Sequence, residues 1–147
     1  QVCSPSVLRE CDFTSANLTE TNFYGCDLRA VNLTKATAKR ADFRRALLVN
    51  AHGEDVDLTG ALLSGANLDS TDFYYSSFAG AVLGATAFGM SSKYEGQALL
   101  TPASFRFALL IGVDFTNADL RGVDFTGADL NAARLEGALL DGAILPQ

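Results

Sequence analysis

A chain of 147 residues has the size of one domain, and 48% hydrophobic residues are enough for a substantial core. The net charge of −6 argues against nonspecific nucleic-acid binding, and no apolar run approaches the roughly 18 residues of a membrane-spanning helix. Three cysteines without a C-x-x-C pair argue against a zinc site.

In chain order, residues 1–5 precede any regular pattern and are read as a segment covering the N-terminal end. A large apolar residue then recurs at every fifth position, from Leu8, Phe13, Leu18 and Phe23 through to Phe88, and again from Leu100 to Leu145. Of 27 such centres, 25 are Leu or Phe, and nine of the ten Phe fall on them, so chance placement is excluded. Two residues before each centre stands a small residue, Ala at 16 of 27 places. The residue just before the centre is often Asp or Asn, and the two after it vary freely.

Neither a helix (period 3.6) nor a strand (period 2) turns the same face inward every five residues. A coil with a corner every five residues does, because each side then contributes one large and one small side chain to a narrow interior. Stacked coils would lie about 4.8 Å apart, the spacing of hydrogen-bonded strands. Neighbouring coils would complete one another's cover, as in any solenoid.

Units such as Ala16-Asn17-Leu18, Ala66-Asn67-Leu68, Ala118-Asp119-Leu120 and Ala128-Asp129-Leu130 resemble those of the pentapeptide-repeat proteins. The resemblance implies an all-β fold, a right-handed quadrilateral β-helix of about seven coils, with residues 20 apart stacked. Phe23 is then expected over Phe43, Phe105 over Phe125, and Leu8, Leu28, Leu48 and Leu68 in one column. The whole chain, 1–147, reads as a single repeat domain with repeats over 6–90 and 98–145.

The rule fails in two places. Gly53 occupies a centre, where it leaves a gap or lets the backbone bulge. Near 89–97 the frame shifts by two residues, which predicts an inserted loop leaving the coils. Loops on rigid scaffolds often carry function, so Met90, Lys93, Tyr94 and Glu95 form a candidate functional loop beside the plainer reading of a tolerated insertion.

The side chains offer little chemistry for catalysis. His52 is the only histidine, and nine of the seventeen acids sit at the repeat's own pre-centre position. No enzyme activity, metal or cofactor is expected. Charge is more informative: Arg29, Lys35, Lys39, Arg40, Arg44 and Arg45 face one acid, Asp42, within residues 28–47, a local charge of +5. All six follow a centre by one or two places and should point outward, either offsetting neighbouring acids or docking an acidic partner. Cys26 reads as a small apolar filler, while a Cys3–Cys11 disulfide could pin the N-terminal segment in an oxidising compartment.

These features favour a non-enzymatic interaction module with an unknown protein partner, acting as a monomer or end-to-end dimer. The alternative is a DNA-mimicking inhibitor or protector of DNA gyrase, as the resemblance implies for some members. The basic coil would interrupt an acidic mimic face, and Leu145-Pro146-Gln147 does not supply the C-terminal helical dimerisation element of those members. The absent initiator Met and the early Cys3 look like a mature protein of the chloroplast thylakoid lumen, with a bacterial or cyanobacterial soluble compartment as the alternative. The five-residue register makes a prediction of its own. Leu68→Asp should cost several kcal/mol by burying a charge, and Asp69→Ala, expected to face outward, well under about 1 kcal/mol. Equal shifts in melting temperature would refute the register.

Overall fold

Most described five-residue units share one backbone hydrogen-bonding scheme, and the fold follows from it. The structure is a computed structural model that describes residues 8–84, 86, 88, 100 and 103–147. In Val31-Asn32-Leu33-Thr34-Lys35, the Val31 N–H donates to Leu28 O across the corner, closing a four-residue turn. The Asn32 N–H donates to Cys11 O in the coil before, and those of Leu33 and Lys35 donate to His52 O and Glu54 O in the coil after. One N–H remains, that of Thr34, and the Asn32 side-chain oxygen accepts it at 3.0 Å. The backbone donors are thus all satisfied, as a buried backbone requires.

The result is a stack of coils joined by parallel bridges between pre-centre residues. Asp12 pairs with Asn32, Asn32 with His52 and His52 with Asp72, always 20 residues on, so four five-residue sides make one coil. No helix occurs among the described residues. The second residue of each corner takes the left-handed conformation that a type II turn needs there. It does so even where it is not glycine, as at Lys35 (φ 58°), Arg45 (φ 59°) and Tyr75 (φ 56°).

The centres fill the interior. The Phe23 and Phe43 rings stack at 5.0 Å between centroids, and Phe105 and Phe125 at 5.4 Å, which bears out the expected 20-residue register. Across the irregular region the step becomes 27, from Ser77 to Ser104 and from Val82 to Leu109. Seven extra residues therefore enter the chain without disturbing the columns, and Phe88 still stacks on Phe115 at 5.1 Å. By count they fall between Phe88 and Leu100 in the chain, and the corner that follows the Leu28, Leu48 and Leu68 column carries Arg29, Val49 and Asp69. Val49 and Asp69 are both buried there, at 1% and 2% exposure. Asp69 is consequently not the outward residue the sequence pattern predicts; the exposed Glu54 provides the surface control in its place.

Gly53 leaves no gap. A Cβ at this centre would collide with the Phe73 ring of the next coil, which occupies the missing side chain's space. The corner after it is opened by a hydroxyl: Ser76 Oγ accepts the Val56 N–H at 3.0 Å and donates to Gly53 O at 2.6 Å. Restoring the repeat's own preference should therefore harm the protein. Gly53→Leu is expected to destabilise by about 3 kcal/mol, as overpacked cores do. Gly53→Leu combined with Phe73→Leu should recover most of that loss in chemical denaturation. A single variant as stable as the parent would show that the Phe73 ring does not depend on the glycine.

Candidate interaction surface

Each coil presents two kinds of outward position, the pre-centre residue in the middle of a side and the two corner residues that follow the centre. The pre-centre acids are mostly consumed by the turn they precede. Asp12, Asp42, Asp57, Asp114 and Asp129 each accept the N–H two residues on, at 2.9–3.1 Å. Asp72 instead meets His52 Nδ1 at 2.8 Å and accepts the Gly53 N–H at 3.2 Å. Among the described residues, no three His, Cys, Asp or Glu side chains come together as metal ligands.

The six basic residues of the 28–47 coil occupy its four corners and so form a ring around it. Arg29 binds Asp27, which Arg9 also contacts, and Arg44 binds Asp42 while lying 5.5 Å over the Tyr24 ring. Arg40 reaches Glu20 in the preceding coil at 2.8 Å, and Lys39 lies 3.4 Å from Asp57 in the following one. Lys35 and Arg45 make no ion pair among the described residues. Four of the six therefore offset acids of their own chain. The loop residues Met90, Lys93, Tyr94 and Glu95 lie outside the described residues, as does Cys3. Cys26 is disulfide-bonded, so it is more than a filler, and the expected Cys3–Cys11 pairing involves a residue outside the described ones.

One side carries residues that the sequence reading missed. Its pre-centre positions run Asn22, Asp42, Leu62, Val82, Leu109, Asp129, three successive coils having an apolar residue where Asp or Asn is usual. Around Leu109 (46% exposed), the corner residues Phe107 (63%) and Ile111 (50%) are also open to solvent. The signal was present as the one Phe of ten that falls off the centres.

Comparison with known proteins then identifies the architecture. The model for pentapeptide repeats (8 copies) matches residues 26–52, 54–85, 98–137 and 108–146. The chain belongs to the pentapeptide-repeat family. A structure of HetL, involved in heterocyst differentiation regulation in the cyanobacterium Nostoc sp. strain PCC 7120, is 33% identical over 93% of this chain, with a TM-score of 0.61. The match spans 62% of HetL's length. A pentapeptide-repeat protein from the Arabidopsis thaliana thylakoid lumen is 28% identical over 78% of this chain and 68% of its own, with a TM-score of 0.53. QnrB1, a plasmid-mediated fluoroquinolone resistance protein, matches at 22% identity over 93% of this chain and 78% of its own, with a TM-score of 0.37, too distant to bear on function. No curated protein matches by sequence. No helix of the described residues is long and apolar enough to cross a membrane.

The capping acids of this pentapeptide-repeat chain also set its acid stability. Hydrogen bonds from the Thr126 side chain and backbone, with Arg106, hold the Asp124 carboxyl at about 2. The Thr14 hydroxyl lowers Asp12, and the guanidinium groups of Arg44 and Arg121 lower Asp42 and Asp119. A carboxyl depressed in the folded state stabilises above its unfolded value and loses that contribution as pH falls through its folded one. Stability should thus be flat above about pH 5 and decline between about pH 4 and pH 2. Thr126→Val should raise the Asp124 pKa, measured by NMR titration, and make that decline shallower; an unmoved pKa would refute the cap's role.

Proposed function

We propose that this chain is a non-enzymatic interaction module, a rigid rod whose outward positions bind another protein. In this reading it forms one domain, a right-handed quadrilateral β-helix of about seven coils. The observation that carries it is the exposure of Phe107, Leu109 and Ile111 on a scaffold whose interior is already filled by Leu and Phe centres. Large apolar side chains with no core left to join are what an interface uses. The lumenal source of the Arabidopsis relative supports a thylakoid-lumen setting, and HetL supports a cyanobacterial one. Neither basic corners that offset their own acids nor an apolar side favours the second reading, a DNA mimic acting on gyrase.

The test is capture of soluble proteins from a photosynthetic organism on the immobilised protein, competed with free protein. Saturable retention of one or a few proteins, lost on competition, is the expected result; retention indifferent to competitor would refute the module. A gyrase supercoiling assay should show no inhibition. Inhibition that disappears when acids outside the 28–47 coil are neutralised would transfer the assignment to the DNA mimic.

A further inference from the structure

The side bearing Leu62, Val82 and Leu109 lacks something besides charge. In many units an Asp or Asn at this place accepts the N–H of the first corner residue, as Asn22 does for Tyr24 and Asp129 for Asn131 on this same side. Leucine and valine cannot. The N–H groups of Ser64, Gly84 and Ile111 accordingly have no acceptor among the described residues, in three consecutive coils. They lie one above another on a single corner: a Cβ on Gly84 would stand 3.5 Å from Ile111 O and 3.9 Å from Ser64 Oγ. Because side chains on the outer surface reach these N–H groups in other units, the groups are open to a ligand from outside.

The same corner continues upward into Arg44 and Arg45. Arg45 is exposed and makes no ion pair among the described residues, and its stem lies beside Gly65, where a Cβ would stand 3.7 Å from Arg45 Cγ. Gly60, Gly65, Gly80 and Gly112 hold the second place of corners flanking the apolar strip and add no side chain there. A strip of large apolar side chains thus runs beside a column of hydrogen-bond donors that ends in an unpaired guanidinium.

We propose that this side docks one extended segment of a partner protein that carries apolar side chains followed by carboxylates. Its apolar residues cover Leu109, Phe107, Ile111, Val82 and Leu62, and its carboxylates take the Arg45 guanidinium and the open N–H groups of the corner. The proposal deepens the interaction-module reading and rests on it. Charge complementarity selects the occupant: the exposed Arg45 guanidinium and the N–H groups of Ser64, Gly84 and Ile111, which have no acceptor among the described residues, call for a partner that brings acceptors. The distance from Leu109 to the Arg45 row is three coil spacings, about 14 Å, or roughly four or five residues of extended chain. A second copy of this chain fits less well, since a strip this small falls far short of the roughly 800 Å² per partner of a stable dimer.

The experiment is selection of random twelve-residue displayed peptides on the whole protein, with affinities then measured by fluorescence anisotropy (the peptide length being about twice what the strip requires). Enriched peptides should hold two or three large apolar residues with Asp or Glu within about five positions. The decisive variant is Leu62→Asp/Val82→Asp/Leu109→Asp, which returns three units to the family's own pattern. Each new carboxylate would accept its corner N–H, so the melting temperature should hold or rise while peptide affinity falls by at least about tenfold. Arg45→Glu should weaken the same peptides and be rescued by Lys in place of their acids. Peptides that bind parent and triple variant equally would overturn this site and leave the module reading standing. A library yielding no binder, or only basic ones, would overturn it as well. So would a concentration-dependent dimer in sedimentation that Leu109→Asp abolishes, which would assign the strip to a second copy.

Discussion

One backbone N–H in every five residues decides how this protein is built. The coil geometry satisfies the other four through the corner turn and the two neighbouring coils, but the first corner residue faces outward with its donor unmet. A short side chain ending in an acceptor, two residues earlier, is the local solution. Asp and Asn supply it at Asp12, Asn17, Asn22, Asn32 and Asp42 in turn. What looks in composition like a strongly acidic protein is in large part a series of turn caps. Their carboxylates are engaged with backbone, Thr or Arg and are not a free acidic surface.

The interior obeys a looser rule. Large and small residues must sum to a filled cross-section, but the sum is taken along a column as well as within a coil. Gly53 and Phe73 show this, one ring occupying the space of the side chain its neighbour lacks. The buried hydroxyls make the same point for polar groups. Ser76 and Thr86 stand at small inward positions and bond Gly53 O and Leu63 O in the coil before, at 2.6 Å each. A burial that would be costly unpaired is thereby satisfied.

How much of this was legible in the sequence depended on whether the information was periodic. The centres, the 20-residue stacking and the frame slip near 89–97 all followed from counting by fives, and the Phe23–Phe43 and Phe105–Phe125 stacks agree with them. Whatever depended on position around the coil was harder to see. That the six basic residues share one coil was legible, but which acids of the neighbouring coils they meet, Glu20 for Arg40 and Asp57 for Lys39, depends on the stacking. Asp69 looked like an outward residue because its place in the unit is outward, yet it is buried, as is Val49 at the same corner one coil before. Leu62, Val82 and Leu109 are 20 and 27 residues apart and become a strip only once the coils are stacked.

The seven-residue enlargement of one coil has a consequence for how such a surface can change. Because the columns resume on its far side, the outer positions form a grid, with side and coil number as coordinates, that is preserved across an interruption. The core is filled mainly by the centre and the small residue of each unit, with a few outer positions such as Val49 and Asp69 also buried. A change at any one grid point, such as apolar for acidic at position 109, therefore alters what the surface displays at a single address while leaving the scaffold's instructions intact. A lineage can rewrite its recognition surface letter by letter, and two members with nearly identical interiors can present unrelated surfaces.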